Sequence, residues 1–246
     1  MDVAAEIKPF EMMIGALSKL LNDGEMAACG TLSPIPASAI LQAKHTHAPN
    51  LTPFIYGDLS LRLTEGHLET FAAFQRGKVD VFFLSGVQIG QNGHINLSVI
   101  GDYRKPKVRF PGGAASNMVY SCSRRALLFA PVHTKRVLVK EVDFKNALAF
   151  DEGKPTPWRR GHPSHLVTPL CVMKFDLDQK KLVLDSLMPG VTLDEVIGNT
   201  GFDVGINGRE IPSYDPINEE ELEILRTVVN EKVKKIYPEF AKQMWG

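Results

Sequence analysis

The residues best suited to chemistry stand in one stretch, from Phe83 to Asn117, which reads FLSGVQIGQNGHINLSVIGDYRKPKVRFPGGAASN. It closes on a loop of small residues, Pro111-Gly112-Gly113-Ala114-Ala115-Ser116-Asn117. Glycine and other small residues let backbone N–H groups approach a ligand closely. Such a loop, after a strand and before a helix, suits an anion or a developing oxyanion. The segment before it carries Arg104, Lys105, Lys107 and Arg109, a local positive charge that suits a phosphorylated ligand. The same composition also serves a purely structural turn.

A second candidate lies upstream, where Leu51-Thr52-Pro53-Phe54-Ile55-Tyr56-Gly57-Asp58 reads as a strand ending in a tight turn at Gly57. In open α/β sheets ligands bind outside the carboxyl ends of strands, so Tyr56, Gly57 and Asp58 stand where a site would be. Asp58 and Glu65 are the nearest carboxylates, although most loop carboxylates are simply solvated. The seven histidines show no metal-ligand spacing; His162-Pro-Ser-His165 comes nearest, and its proline favours a loop. No P-loop, GxSxG or GxGxxG motif is present.

Composition narrows the classes. The 246 residues are 44% hydrophobic and 23% charged, which fits a globular α/β chain read as a single domain over residues 1–246. A net charge of zero carries no footprint for nucleic-acid binding. Cys29, Cys122 and Cys171 are widely spaced without a CxxC, which argues against a disulfide framework or a zinc site and suits the cytoplasm. The N-terminus is acidic before its first lysine, unlike a signal peptide. No apolar run reaches the roughly 18 residues of a membrane span.

The elements that must position these residues follow from periodicity. Ala4 to Asn22 has the three-and-four spacing of an amphipathic helix, with Pro9 marking its start. Glu25–Thr31 reads as a buried strand, Pro34 and Pro36 as the turn after it, and Ala37–Lys44 as a helix. Further helices are expected at Leu68–Arg76 and Ser116–Cys122, and after Thr192 with Glu195 three residues on. The last helix is expected over Glu219–Tyr237. Strands are expected at Val79–Leu84, Ile95–Ile100, Ala126–Ala130 and Arg136–Val142, with a hairpin from Cys171–Asp176 and Lys181–Leu184. Residues 151–168, rich in Pro, Gly, Arg and His, read as a loop with no element. The order of strands and helices predicts an α/β fold with an open, mostly parallel sheet and flanking helices.

Ordered motifs then resemble a known family. Gly86-Val87-Gln88-Ile89, Asn92-Gly93-His94-Ile95-Asn96, Ile100-Gly101-Asp102-Tyr103 and Pro106-Lys107-Val108-Arg109-Phe110 resemble the β-subunit of glutaconate CoA-transferase and its class I relatives. Asn199-Thr200-Gly201-Phe202-Asp203 and the acidic stretch before the last helix match as well. The resemblance implies the open CoA-transferase fold. It also implies a heteromer, dimer or tetramer, with a separately encoded α-subunit of the same fold, and an acyl-CoA substrate. In that family a strand-end glutamate attacks the thioester; here its position falls on Gly57, with Asp58 one residue beyond. The oxyanion loop maps to Gly113-Ala114-Ala115-Ser116-Asn117. Tyr56, Gly57, Asp58, Gly113 and Ala114 become the expected catalytic positions. Gly86, Gln88, Asn92, Asn96, Ser116 and Asn117 become the expected substrate and CoA contacts. Loss of the glutamate points to the decarboxylase branch, which converts 3-methylglutaconyl-CoA to 3,3-dimethylacrylyl-CoA without a cofactor or metal. CoA transfer and hydrolytic ring cleavage of a CoA thioester are the alternatives.

Overall fold

The computed structural model describes residues 7–246, so the expected helical start at Ala4 lies outside the described residues. In chain order the elements begin with α1 (Pro9–Lys19), β1 (Met26–Cys29), α2 (Pro34–His45), β2 (Thr52–Ile55) and α3 (His67–Gln75). There follow β3 (Val81–Leu84), β4 (Gln88–Gly90), β5 (Ile95–Asn96), β6 (Val99–Ile100), β7 (Val108–Arg109), α4 (Ser116–Cys122), β8 (Arg125–Phe129) and β9 (Leu138–Val139). The remainder is β10 (Pro163–Val167), β11 (Cys171–Asp176), β12 (Lys181–Leu187), α5 (Leu193–Asn199) and α6 (Glu219–Ile224). A π-helical turn (Leu225–Val229), α7 (Asn230–Ile236) and α8 (Pro238–Trp245) complete the chain. These elements sort into two compact units, one running to Glu65 and resuming at Asp215–Gly246, the other covering Gly66–Tyr214.

In the first unit β1 and β2 pair in parallel, from Met26 opposite Thr52 to Cys29 opposite Ile55. Helix α2 packs on both strands, on α1, and on α6, the π-helical turn and α7. Every residue from Ile35 to Ala43 is buried. Ala37, Ser38, Ala39 and Ala43 are small enough to admit neighbours on all sides, which is the pattern of a helix enclosed all round rather than on one face. The helix starts at Pro34, not after a turn at Ala37 as the sequence pattern leads one to expect. Proline fits the first helical turn because the N–H it lacks has no partner there anyway.

The C-terminal helices close this unit on α1. Asn218 and Glu221 cap α6 reciprocally, each side chain accepting from the other's backbone N–H at 2.9 Å. The π-helical turn carries Arg226, whose Nε and Nη2 each donate to Glu11 of α1 at 2.7 Å. Glu11 has no exposed surface. It also accepts from the Trp245 indole N–H at 3.0 Å and from the Lys8 backbone N–H at 2.9 Å. The Lys8 ammonium donates to the Met244 carbonyl. Burial acts to raise the Glu11 pKa, but the hydrogen bonds from Arg226, Lys8 and Trp245 outweigh it and hold the carboxyl below its usual range.

In the second unit the main sheet runs in the order β12-β11-β10-β8-β3. β3, β8 and β10 are parallel, and β10, β11 and β12 alternate antiparallel. Val81, Phe83, Leu127, Leu128, Leu166, Val167, Met173 and Leu182 form its buried core, and α4 packs against β3 and α3. Beside it stand a three-stranded sheet, β5-β4-β9, and the ribbon β6-β7. Parallel pairs joined through helices, with an antiparallel edge, make the mostly parallel α/β arrangement expected. Three expectations need correction. The loop over 151–168 ends in strand β10, whose Leu166 and Val167 are fully buried between β8 and β11. The strand expected over Ile95–Ile100 is broken in two, because the Asn96 side chain accepts from the Ser98 and Val99 N–H groups and turns the chain. The strand expected over Arg136–Val142 shrinks to Leu138–Val139. Among the described residues no helix is long and apolar enough to cross a membrane.

Removing the Glu11 charge leaves Arg226 without its partner in a largely buried setting. Glu11→Gln should cost about 3 kcal/mol, at the low end for breaking a buried ion pair because Arg226 keeps some exposure. Denaturant unfolding followed by circular dichroism measures this. The folded-state pKa is depressed, so the wild-type contribution is present above the unfolded value near 4.5 and lost as pH falls through the folded value. The variant should lack that acid-side loss.

Candidate active site

At the carboxyl end of β2, in the first unit, the chain turns through Tyr56 and Gly57. Tyr56 N–H donates to the Cys29 carbonyl at 3.2 Å, the last rung of the parallel pair, and Asp58 N–H closes the turn on the Ile55 carbonyl at 3.0 Å. Asp58 spends one carboxylate oxygen locally, accepting from the Ser60 N–H at 2.8 Å and its hydroxyl at 2.7 Å. The Tyr56 ring lies under the Arg62 guanidinium at 5.8 Å.

Gly57 does not have a positive φ. The dihedral therefore does not demand glycine, but the space does. A Cβ here would stand 2.9 Å from the Thr31 carbonyl oxygen and 3.0 Å from the Tyr237 hydroxyl, with the Ile236 side chain at 3.5 Å. The Tyr237 hydroxyl donates to that same Thr31 carbonyl at 2.8 Å. Burial, with the neighbouring Cys29 and Asp58, pushes the Tyr237 phenol up to about 12, while the Ser33 N–H pulls the other way. The phenol stays protonated, and its proton is engaged.

The small-residue loop belongs to the second unit. Gly112 takes φ 96° and Ala114 takes φ 41°, the left-handed region that a glycine enters freely and an alanine enters at some cost. No hydrogen bond within the described residues uses the backbone N–H of Gly113, Ala114 or Ala115. Ala114 and Asn117 are exposed and Ser116 is buried. A Cβ on Gly113 would meet the Ser116 hydroxyl at 2.5 Å and Asn146 at 3.2 Å. The Asn117 side chain accepts from the Leu148 N–H at 3.3 Å.

A buried amide network supports this loop. Asn96 donates to Gln88 Oε1 at 2.7 Å and to the Val99 carbonyl at 2.6 Å. Gln88 Oε1 also accepts from the Asp143 N–H at 2.9 Å, and Gln88 Nε2 donates to the Asp143 carboxylate at 3.2 Å. Asn146 accepts from the Leu97 N–H and donates to the Ser98 hydroxyl, both at 2.7 Å. The Gly112 N–H then donates to the Leu97 carbonyl at 3.0 Å. Gly86 has no room for a side chain, since a Cβ would meet Ile95 at 2.5 Å and the Asn96 carbonyl at 2.7 Å. Asn92 makes an Asx turn onto the His94 N–H at 3.1 Å. Of the expected contacts, Gly86, Gln88, Asn92 and Asn96 are thus packed into the scaffold beneath the loop, while Gly113, Ala114, Ser116 and Asn117 make the loop itself. Asp143, Asn146, Thr31 and Tyr237 are not among the positions expected from the sequence. Only Tyr237 leaves a trace there, as the residue before a proline at a helix end.

The histidines are structural here. His94 is fully buried, accepts from the Ala149 N–H at 3.1 Å and pairs with Glu152 at 3.1 Å. His133 lies between two threonine hydroxyls, Thr168 at 2.8 Å and Thr200 at 2.9 Å. The Thr200 hydroxyl gives its hydrogen to the Val196 carbonyl, so His133 Nε2 carries the proton and Nδ1 accepts from Thr168. Among the described residues, no group of three or more His, Cys, Asp or Glu side chains could hold a metal ion.

A family model described as Coenzyme A transferase matches residues 58–199, more than half of the chain. The chain belongs to the CoA-transferase family. Among its relatives is one of the two subunits of a 3-oxoadipate CoA-transferase from Pseudomonas knackmussii, 29% identical over 243 residues that cover 89% of this chain and 92% of the relative. The corresponding glutaconate CoA-transferase chain of Acidaminococcus fermentans is 25% identical over 236 residues, 84% of this chain and 87% of the relative. The crystal structure of that enzyme superposes with a TM-score of 0.77 over 90% of this chain and 94% of the other. The decarboxylase AibA/AibB superposes with a TM-score of 0.75 at 23% identity, over 98% of this chain and all of the matched chain. The fold expected from the motifs is therefore the CoA-transferase fold.

Two outcomes test this geometry. Asn96→Ala strands buried groups on Gln88, Ser98 and Val99 and should cost about 3 kcal/mol or more in denaturant unfolding. Burial pushes His133 down to about 4 from an ordinary 6.5, so its contribution is present above pH 6.5 and lost as pH falls toward 4. Stability measured across that window should fall less steeply in His133→Gln than in the wild type.

Proposed function

We propose that this chain is the β-type subunit of a cytoplasmic, heteromeric acyl-CoA enzyme that works without a covalent acyl-enzyme on this subunit. The reaction we assign is decarboxylation of 3-methylglutaconyl-CoA, or a close analogue, to the 3,3-dimethylacrylyl thioester. The partner is a separately encoded α-subunit of the same fold, as in the two-subunit relatives. The observation that carries this reading is the space at Gly57. The position to which the resemblance assigns the attacking glutamate has neither a side chain nor room for one, because the Thr31 carbonyl and the Tyr237 hydroxyl stand where its Cβ would be. Asp58, the neighbouring carboxylate, is engaged with Ser60 in its own turn.

Chemistry without that nucleophile is feasible for a glutaconyl thioester. Its carboxylate is vinylogous to the thioester carbonyl, so breaking the bond to CO2 delivers the electron pair into a dienolate with its charge largely on the thioester oxygen. No electron-sink cofactor is required. The unengaged N–H groups of Gly113 and Ala114 suit that oxygen, and one such donor is worth about 3 kcal/mol in the transition state. Asn117 and Ser116 border the same loop. Tyr56, at the end of β2, is suited to an apolar wall against the departing carboxylate. Tyr237 does not suit the role of proton donor for the dienolate, since its hydrogen is given to Thr31.

The test is a mass-spectrometric assay of the co-expressed pair with 3-methylglutaconyl-CoA in labelled water. A product lighter by CO2, with no solvent oxygen incorporated, is expected. A hydroxylamine-sensitive adduct on a carboxylate of this subunit would establish a transferase instead, and solvent oxygen in a new carboxylate would establish hydrolytic cleavage. Gly113→Ala should move the loop off Ser116 and lower kcat on the order of 10²-fold with little change in KM.

A further inference from the structure

Tyr237 stands at the break between α7 and α8. The residue before a proline is pushed out of helical geometry, and Tyr237, before Pro238, takes φ −132° and ψ 67°. That break aims its ring at the turn after β1 instead of along the helix. The hydroxyl reaches the Thr31 carbonyl and sits 3.0 Å from the missing Cβ of Gly57. The same hydrogen bond pins the Thr31 carbonyl, which stands 2.9 Å from that Cβ. Two of the three atoms that exclude a side chain at position 57 are thus held by one hydrogen bond. The third belongs to Ile236, the residue before Tyr237. The phenol remains protonated across the physiological range, so the bond persists.

We propose that Tyr237 is a specificity-determining residue, a wedge that keeps the strand-end position at Gly57 free of any side chain and so confines this subunit to non-covalent chemistry. The assignment rests on the functional reading above only in its chemical consequence; the wedge itself is a statement about space. Position 57 and position 237 are then coupled. A carboxylate introduced at 57 is obstructed while Tyr237 is in place. With the wedge removed, that carboxylate gains access to a thioester. It attacks the thioester carbonyl carbon, the C–S bond breaks, CoA leaves as thiolate, and a mixed anhydride forms. Attack of the thiolate on the glutamyl carbonyl then releases the carboxylic acid and leaves a glutamyl thioester, with atoms and electrons balanced and no further reactant.

Two measurements on the full-length chain with its co-expressed partner test the proposal. The first is a double-mutant cycle on stability, which does not depend on what the enzyme does. Gly57→Ala should lower the folding equilibrium constant about tenfold or more in the wild-type background, and several-fold less beside Tyr237→Phe, where the Thr31 carbonyl is free to move. Additive effects would overturn the wedge. The second reads chemistry after incubation with an acyl-CoA and treatment with hydroxylamine or borohydride. Adduct at position 57 only in Gly57→Glu/Tyr237→Ala supports the proposal, and adduct in Gly57→Glu alone overturns it. Failure of the decarboxylation assay with a non-additive cycle would sink the reaction assigned above and leave the wedge standing.

Discussion

The first unit depends on one carboxylate that never meets water. Glu11, in the first turn of α1, accepts hydrogen bonds from both arms of Arg226, from Trp245 and from its own capping residue Lys8. A buried charge of this kind is tolerable only when every lone pair is answered. Here the answers come from the opposite end of the chain, so satisfying Glu11 requires α6 to α8 to lie against α1. Helix α2, enclosed on every side, is the body over which that closure is made. Tyr237 reaches Thr31 because the C-terminal helices are held in this way. The chemistry available at Gly57 is therefore conditioned by an ion pair on a different element.

The second unit solves a related problem with neutral groups. Asn96, Gln88, Asn146 and the carboxylate of Asp143 satisfy one another and the turning backbone between β5 and β7. Such a network fixes geometry because any displacement strands several buried polar atoms at once. What it carries is a short loop whose own N–H groups at Gly113, Ala114 and Ala115 are unspent within the described residues. Rigid support beneath and open donors above is the combination that electrostatic stabilisation of a developing charge demands, since donors already in place need not reorganise during the reaction.

Much of this is legible in the amino-acid order. Helix α4 and strand β3 follow from dense local pattern, and Thr192 caps α5 through the Glu195 N–H as its spacing implies. The glycines and small residues of the loop also mark the right place. Strand β10 is not legible, because Ser164 and His165 interrupt its apolar run and its pairing on both sides comes from distant segments. The break at Asn96 is hidden because a side-chain amide, not a Gly or Pro, turns the chain. The exclusion at Gly57 is visible only as a missing glutamate. Its cause lies in Thr31 and Tyr237, which no local window contains together.

The long C-terminal rod bears on how this architecture can change. The π-helical turn at Leu225–Val229 is a wide turn in an otherwise continuous helix from Glu219 to Ile236. Such turns accommodate one residue more than the α-helical repeat allows. Deleting one residue there would restore a regular helix and rotate everything beyond it by about 100°. Arg226 or Tyr237 could then keep its target, but not both. The length of this helix is accordingly a phase setting, and a family member differing by a single residue in that turn would present a different side chain to the end of β2 even with every strand unchanged.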